Sequence, residues 1–358
     1  MDKPKKLSRE EIAKIEIGHT TITRTQSLVV GGLFLAFIAL YPLVQVAYEY
    51  HTRAIRTPLE LQPLKIFPLL HQVKFTKNGK TLPAMLEYNR SLIAAIKKYE
   101  DMLEDTSALR AECLPTAQRF MTAIMKSGNE KVILGADGWL FYASDFNYLV
   151  NPGFMRPERQ LKRSLSGVQP NPVQAIVAFG NQLAARGIKL VLLPVPVKPM
   201  LYGDKLRGDM GVLQNCSYDR FLVRLQAAGV TVIDVADKLA AMRRRGVEPY
   251  LKTDTHWTPE GMQLAAREVA AALARPRGRA VLRAKTVPVT ALGDIAVMLK
   301  LSHPKEFFPE ETVTVRQVAT APDRHAAILL LGDSFTNIYS LEAMNWGGHG
   351  GLAENLAY

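Results

Sequence analysis

Leu28 to Ala47 contains no charged residue, and this divides the chain before anything else can be said about its fold. Twenty residues at about 1.5 Å rise span about 30 Å, the thickness of a bilayer's hydrocarbon core. A helix in a soluble core would carry a polar stripe; here only Pro42 and Gln45 interrupt the apolar run. Tyr41, Tyr48 and Tyr50 gather at its C-terminal end, where an interfacial aromatic belt belongs. Lys3, Lys5, Lys6, Arg9, Lys14 and Arg24 precede the run, whereas Arg53, Arg56 and Lys65 follow it at comparable distance. The positive-inside rule therefore keeps residues 1–27 in the cytoplasm and sends the remainder outward. The run is long for a signal-peptide core and no convincing small-x-small cleavage site follows it, so 28–47 is expected to be an uncleaved transmembrane signal anchor, with a cleaved signal peptide as the alternative.

The pattern beyond the span changes twice. Residues 48–130 are expected to form a linker with short helices. Pro58, Pro63, Pro68 and Pro83 mark irregular surface, and Met85 to Leu103 and Ala108 to Ser127 have helical apolar spacing, as in Leu92, Ile93, Ile96 and Tyr99. From 131 to 358 short apolar runs alternate with helical stretches. Val132–Leu134 and Trp139–Tyr142 flank an Asp-Gly pair and predict a hairpin. The basic segment 155–172, with Arg156, Arg159, Lys162 and Arg163, reads as a loop. Helices are expected over Pro172–Arg186, Asp219–Ala228 and Lys238–Arg245, between apolar strands at Lys189–Val195, Thr231–Val235 and Ala327–Leu331. That alternation predicts a three-layer α/β domain with a mostly parallel sheet. Val287–Val289 and Val313–Val315 fit it less well and read as edge strands of an insertion.

The net charge of +12 suits an anionic partner such as a phospholipid surface or an acidic polysaccharide. No helix-turn-helix pattern and no basic run interleaved with aromatics is present, so nucleic acid is not expected. Cys113 and Cys216 lack metal-ligand spacing; whether they pair in an oxidising compartment is not decided by the sequence. No His/Asp/Glu group has metal-ligand spacing and no phosphate-cradling glycine loop occurs, so neither a metal nor a cofactor is expected.

Chemistry concentrates in two stretches. Ile328-Leu329-Leu330-Leu331-Gly332-Asp333-Ser334-Phe335 reads as a buried strand breaking at a glycine into a helix over Asn337 to Met344, and serines at such strand ends carry chemistry in open α/β sheets. Upstream, Asp254-Thr255-His256-Trp257 precedes a helix whose start is marked by Thr258 and Pro259 and whose buried stripe is Met262, Ala265, Val269 and Leu273. An imidazole in that loop can take a serine proton while an aspartate two residues away fixes its tautomer. Asp254, His256 and Ser334 are thus the candidate catalytic residues. The backbone N–H of Ser334, and less surely Asn337, would hold an oxyanion. His349, in a glycine-rich loop, is a rival base without a spaced acid. Lys198, Tyr202 and Trp257 are candidate substrate-binding residues, although a surface or core role is the plainer reading for Lys198 and Tyr202.

Taken with Gly138-Trp139-Leu140-Phe141 and Lys198-Pro199-Met200-Leu201-Tyr202, these two motifs resemble the SGNH-hydrolase-like domain of the alginate O-acetylation proteins AlgJ and AlgX. The resemblance runs from about Gly135 to the C-terminus, and the N-terminal span makes it closer to the membrane-anchored AlgJ type. It implies a periplasmic transferase, anchored in a bacterial inner membrane, that moves acetyl groups to exopolysaccharide hydroxyls through an acetyl-serine. Ser334 would be the nucleophile, His256 the base and Asp254 its orienting acid. It also implies a multi-pass membrane acyltransferase as acetyl supplier. Members of the family continue well beyond the nucleophile, whereas 24 residues follow Ser334, so a C-terminally shortened domain is an expectation too. An acetylesterase with the same triad, a non-catalytic scaffold and a wall-glycan-binding protein are the alternatives.

Overall fold

The computed structural model describes residues 23–52, 60–72, 82–165, 167, 169–206, 213–273, 282–321 and 323–358. The basic residues expected ahead of the span, Arg24 excepted, and Arg53, Arg56 and Pro58 after it lie outside the described residues. The chain divides into two compact units, Met1–Leu114 and Pro115–Tyr358.

In the first unit the apolar run forms helix α1, Arg24–Thr52, long and apolar enough to cross a membrane. Its apolar face is bare: Leu28, Leu33, Leu35 and Leu43 are each about two-thirds exposed. The C-terminal end is different. Gln45 and Glu49 are buried there, one turn apart, and Gln45 Nε2 donates to Glu49 Oε1 (2.7 Å) and to the Thr106 carbonyl (2.9 Å). Gln45 Oε1 accepts the Ala108 N–H, and Glu49 Oε2 accepts the Gln62 N–H. These bonds tie the helix end to a 3-10 turn at Gln62–Lys65 and to the junction between α3 (Leu82–Thr106) and α4 (Ala108–Ala123). The stretch expected to be irregular also contains α2, Ile66–Gln72. Pro83 falls in the first turn of α3, where its missing N–H has no intrahelical partner to lose.

The second unit opens with the expected hairpin. β1 (Val132–Leu134) pairs antiparallel with β2 (Leu140–Tyr142) in the register Ile133↔Phe141. Asp137 and Gly138 between them take left-handed φ of 54° and 76°, the conformation an Asp-Gly pair tolerates. Helix α5 (Ala143–Val150) follows. The segment expected as a loop contains α6, Pro157–Ser164, with Pro157 at its first position and Lys162 and Arg163 in its last turn, where cations suit the helix dipole. α7 (Pro172–Ala184) is capped by the Asn171 side chain, which accepts the Val173 N–H.

β3 (Val191–Leu192) and β4 (Thr231–Val232) pair in parallel through the crossover that includes α8 (Lys198–Leu201) and α9 (Tyr218–Ala227). After α10 (Ala236–Arg244) and α11 (Pro259–Ala272) comes the longest ladder, β5 (Ala284–Ala291) with β6 (Glu311–Val318), antiparallel with Val287 opposite Val315. Helix α12 (Asp294–Met298) lies between those two strands in sequence, and α13 (Ser334–Asn337) and α14 (Leu352–Ala357) close the chain.

The expected α/β class holds, but a mostly parallel sheet is not seen among the described residues. The described strands form three separate pairs, and only β3–β4 is parallel, over two residues per strand. Ala327–Leu331 is not a strand: it has no ladder partner among the described residues, and Leu329 and Leu331 are 83% and 70% exposed. An apolar run becomes a strand only when a neighbouring backbone accepts its N–H and C=O groups. The two short segments expected as edge strands are strands, and form the centre of the eight-residue, two-stranded β5–β6 ladder. The core gathers aromatic side chains around α11, among them Phe141, Tyr202, Tyr250, Trp257, Tyr339 and Trp346, none more than 1% exposed. Cys113 and Cys216 are free and exposed.

Candidate active site

The loop carrying Asp254 and His256 is a tight turn between paired backbones. Tyr250 bridges Trp257, Leu251 N–H donates to the His256 carbonyl (3.1 Å), and Thr258 N–H donates to the Pro249 carbonyl (2.9 Å). The next residues start α11 as the sequence predicts: Thr258 Oγ1 accepts the Gly261 N–H, and Pro259 takes the first helical position. The loop's remaining polar groups are satisfied from distant segments. The Glu311 carboxylate on β6 accepts the N–H groups of Lys252 and Thr253 and the Thr253 hydroxyl, each at 2.8 Å. Asp294, opening α12, accepts the Thr255 N–H (2.7 Å) and hydroxyl. Gly293 is required beside this loop, because a Cβ there would stand 2.2 Å from the Thr253 carbonyl group.

Within that frame Asp254 has both oxygens committed. Oδ1 accepts His256 Nδ1–H (2.7 Å) and the His256 backbone N–H (3.0 Å); Oδ2 accepts the Asp294 N–H and the Trp346 indole N–H, both at 2.9 Å. Burial pushes the Asp254 carboxyl up, but the hydrogen bond and charge of His256, with the two backbone donors, outweigh it and hold the group below its ordinary value. Burial pulls His256 down, and the Asp254 bond and the charges of Asp254, Asp294 and Asp333 more than reverse that, leaving it raised. With Nδ1 donating to Asp254, the other nitrogen, Nε2, is the free base. It is buried and has no hydrogen-bond partner among the described residues.

A second carboxylate stands close, with Asp294 Oδ2 3.9 Å from His256 Nδ1. Burial and then the charge of Asp254 push Asp294 up. Asp254, His256 and Asp294 bring potential metal-ligand atoms within 4.8 Å of one another, a grouping the sequence spacing did not predict. The donor set does not fit a metal, however, because both Asp254 oxygens and His256 Nδ1 are already joined in hydrogen bonds, with the carboxylate accepting from four N–H groups.

Ser334 is the first residue of α13, whose N-cap is Asp333: the Asp333 side chain accepts the Phe335 N–H. Its neighbour Phe335 packs on the imidazole of His256 with ring centroids 4.8 Å apart, and edge-on against Trp257. Trp257 Nε1–H donates to the Phe335 carbonyl (3.0 Å), and Tyr339 O–H donates to the Trp257 carbonyl (2.7 Å). The serine turn and the histidine loop are thus stapled side by side. Ser334 itself is exposed, and its hydroxyl makes no hydrogen bond to His256. Asn337, half-buried, donates from its side-chain amide to the Asp333 carbonyl. His349 is exposed and has no ion-pair partner among the described residues.

The three expected substrate-binding residues all lie in the interior. Lys198, Tyr202 and Trp257 are buried to 1%, 0% and 0% exposure and face the interior. Tyr202 donates its hydroxyl to Glu248 Oε2 (2.6 Å), Trp257 is bonded to Phe335 as described, and Lys198 Nζ donates to two loop carbonyls, those of Lys252 and Asp254, each at 2.9 Å. Sequence reasoning missed Asp294, Glu311 and Trp346. Each lies 39 or more residues from its partner, and no local spacing announces it.

A mixed α/β domain in which a Gly-Asp-Ser turn lies beside a buried Asp-x-His pair is an SGNH-hydrolase-like domain. Residues 132–356 match the family described as "SGNH hydrolase-like domain, acetyltransferase AlgX", and the chain belongs to that family. Relatives described as "Probable alginate O-acetylase AlgJ" include that of Pseudomonas aeruginosa, 32% identical over 150 residues, 41% of this chain and 34% of that protein. That of Pseudomonas fluorescens is 30% identical over 153 residues, 42% of this chain and 35% of the relative. The match thus spans about a third of the length of these relatives. The solved O-acetyltransferase domain of Pseudomonas putida AlgJ aligns with a TM-score of 0.45 at 21% identity, covering 63% of this chain and 76% of that one.

Proposed function

We propose that the chain is an O-acetyltransferase that passes an acetyl group through Ser334 to a hydroxyl of an exopolysaccharide such as alginate. The observation that carries this reading is His256, whose Nδ1 is tied to a fully satisfied Asp254 and whose Nε2 has no partner beside the Ser334 turn. Ser334 Oγ attacks the carbonyl carbon of an acetyl ester as Nε2 takes its proton. The resulting imidazolium is stabilised by Asp254, and the Ser334 backbone N–H, at the start of α13, is the candidate oxyanion donor. Collapse expels the donor's alcohol or thiol, which leaves with the proton from Nε2. A sugar hydroxyl then gives its proton to Nε2 and attacks acetyl-Ser334; collapse transfers the acetyl group and returns the proton to Oγ. Catalytic hydrogen bonds are often long in a free enzyme and tighten with substrate, which accommodates the missing Ser334–His256 bond.

The relatives' description as alginate O-acetylases supports the polymer class, and the net charge of +12 suits an anionic chain. Arg156 and Arg159, beside and within α6, are candidate polymer contacts, whereas Arg163 is occupied by the Phe154 and Pro170 carbonyls. With α1 as a single-pass inner-membrane anchor, the catalytic unit works in the periplasm beside a multi-pass acyltransferase that supplies acetyl. The exposure of Ser334 favours one further property: without acceptor, water reaches the acyl-serine and hydrolyses it. The test is intact-mass spectrometry of the detergent-solubilised chain after incubation with an activated acetyl ester, for wild type and Ser334→Ala. One acetyl mass on wild type alone, mapped to Ser334 and discharged by oligo-alginate, is the expected result. A folded wild-type protein that neither gains acetyl nor turns over the ester refutes the reading.

A further inference from the structure

We infer that Lys198 is a positioning residue of this site: a buried ammonium that clamps the backbone under Asp254 and offsets the carboxylates around His256, favouring the neutral imidazole that can accept a proton. The inference rests on the reading of His256 as the proton acceptor. Lys198 begins the short helix α8 and is 1% exposed. Its Nζ donates to the carbonyls of Lys252 and Asp254, on either side of Thr253, at 2.9 Å each. It also lies 5.3 Å from the Trp139 ring centroid and 5.5 Å from that of Phe141. Those two rings are two residues apart, Trp139 just before β2 and Phe141 within it, and the Leu140 N–H between them donates to the same Lys252 carbonyl. The Gly-Trp-Leu-Phe and Lys-Pro stretches, far apart in sequence, thus build one socket beneath the Asp-x-His loop.

A buried ammonium is costly unless its charge is used. Burial pulls Lys198 down to about 7 against the charges of Asp254, Glu311, Asp294 and Asp145, which work to keep it charged. The same acids surround the imidazole. Asp254 faces His256 from its own loop, Asp294 from α12 and Asp333 from the turn before α13. Asp145 on α5 lies close enough to feel both Lys198 and His256, and Glu311 on β6 holds the adjacent backbone. Every one of these carboxylates favours imidazolium; among the groups facing the loop, Lys198 is a cation fixed in the interior to oppose them. Its two backbone bonds also set the direction in which Asp254 leaves the loop. No substrate atom can reach it, so its effect passes through His256.

The experiment is an NMR titration of His256 in the full-length chain in detergent, selectively labelled at histidine, for wild type, Lys198→Met and Lys198→Gln. Glutamine keeps amide donors for the carbonyls and removes the charge, so it carries the test if the methionine variant fails to fold. Loss of a unit positive charge from this interior position should raise the His256 midpoint by about one pH unit in both variants. The acidic limb of kcat/KM for acetyl-ester turnover should move up with it while KM stays unchanged. A purely structural role lowers the yield of folded protein but leaves the midpoint in place, so a folded Lys198→Gln with an unmoved midpoint overturns the inference. If the midpoint rises but wild type never acquires acetyl, the positioning role stands and the acetyltransfer reading fails.

Discussion

Replacing Trp346 by Phe should destabilise the second unit strongly at neutral pH and much less in acid. The indole N–H donates to Asp254 Oδ2 at 2.9 Å, with Trp346 1% and Asp254 2% exposed. A hydrogen bond to a buried charged group contributes about 1.5–3 kcal/mol. The ring atoms lost in going to Phe remove about 2 kcal/mol more of apolar burial and packing. The sum at about pH 7 is about 3–5 kcal/mol. Only the first part depends on the carboxylate. Asp254 is held below its ordinary value in the folded protein, so its stabilising contribution is present above the unfolded carboxyl pKa and is lost as pH falls through the folded one. The variant raises the folded value toward the unfolded one, so the penalty should shrink as pH falls below about 4, toward the packing loss of about 2 kcal/mol. Urea unfolding followed by the fluorescence of the other two tryptophans measures this. Trp257→Phe is the control, since its indole N–H donates to the neutral Phe335 carbonyl and its penalty should not vary with Asp254 ionisation. Equal penalties for Trp346→Phe at about pH 7 and about pH 3 would refute the assignment of Asp254 as an ionised acid held by the indole.

Three other perturbations test the frame around the site. Thr258→Ala removes both the cap of α11 and the hydroxyl donated to the Glu248 carbonyl, and should cost about 1–2 kcal/mol in urea unfolding. Gly293→Ala places a Cβ 2.2 Å from the Thr253 carbonyl group; it should cost about 1–3 kcal/mol and lower acetyl-ester turnover by displacing the Asp254 loop. Gln45→Leu leaves Glu49 buried without its amide donor and frees the Thr106 carbonyl and Ala108 N–H. Limited proteolysis should then cut faster near Ser107, while the second unit's unfolding midpoint stays where it was.

What could be read from the sequence follows a physical division between local and distant bonds. The Asp254–His256 pair was legible because its geometry is set within two residues, and the start of α11 because Thr258 and Pro259 act on their own helix. The hairpin was legible because Asp137-Gly138 specifies its turn. The burial of Lys198 was not legible, because an ammonium is ordinarily a surface group; only the socket of Trp139, Phe141 and two loop carbonyls, assembled across 50 residues or more, makes it intelligible. The run Ile328–Leu331 was misread for the opposite reason. Its apolar pattern states a preference for a sheet interior, but pairing is a property of two backbones, and the pattern names only one.

These contacts divide the site into a fixed half and an open half. Asp254 accepts four N–H groups, and the loop beneath it is pinned from α8, α12, β6 and the segment containing Trp346. Such a base needs no reorganisation when its proton arrives, which is what electrostatic preorganisation requires. Ser334, next in the chain to Phe335, is exposed and unbonded to the imidazole. On the proposed reading, the barrier to be lowered by substrate lies on the nucleophile's side: an acetyl donor that brings Ser334 Oγ to Nε2 would complete the constellation, and one that cannot do so would bind without reacting. Because Tyr339 and Trp346 hold Trp257 and Asp254 from beyond the serine, the chain after Ser334 is part of this machinery. Changes there should be felt first at the histidine loop, before they reach the fold as a whole.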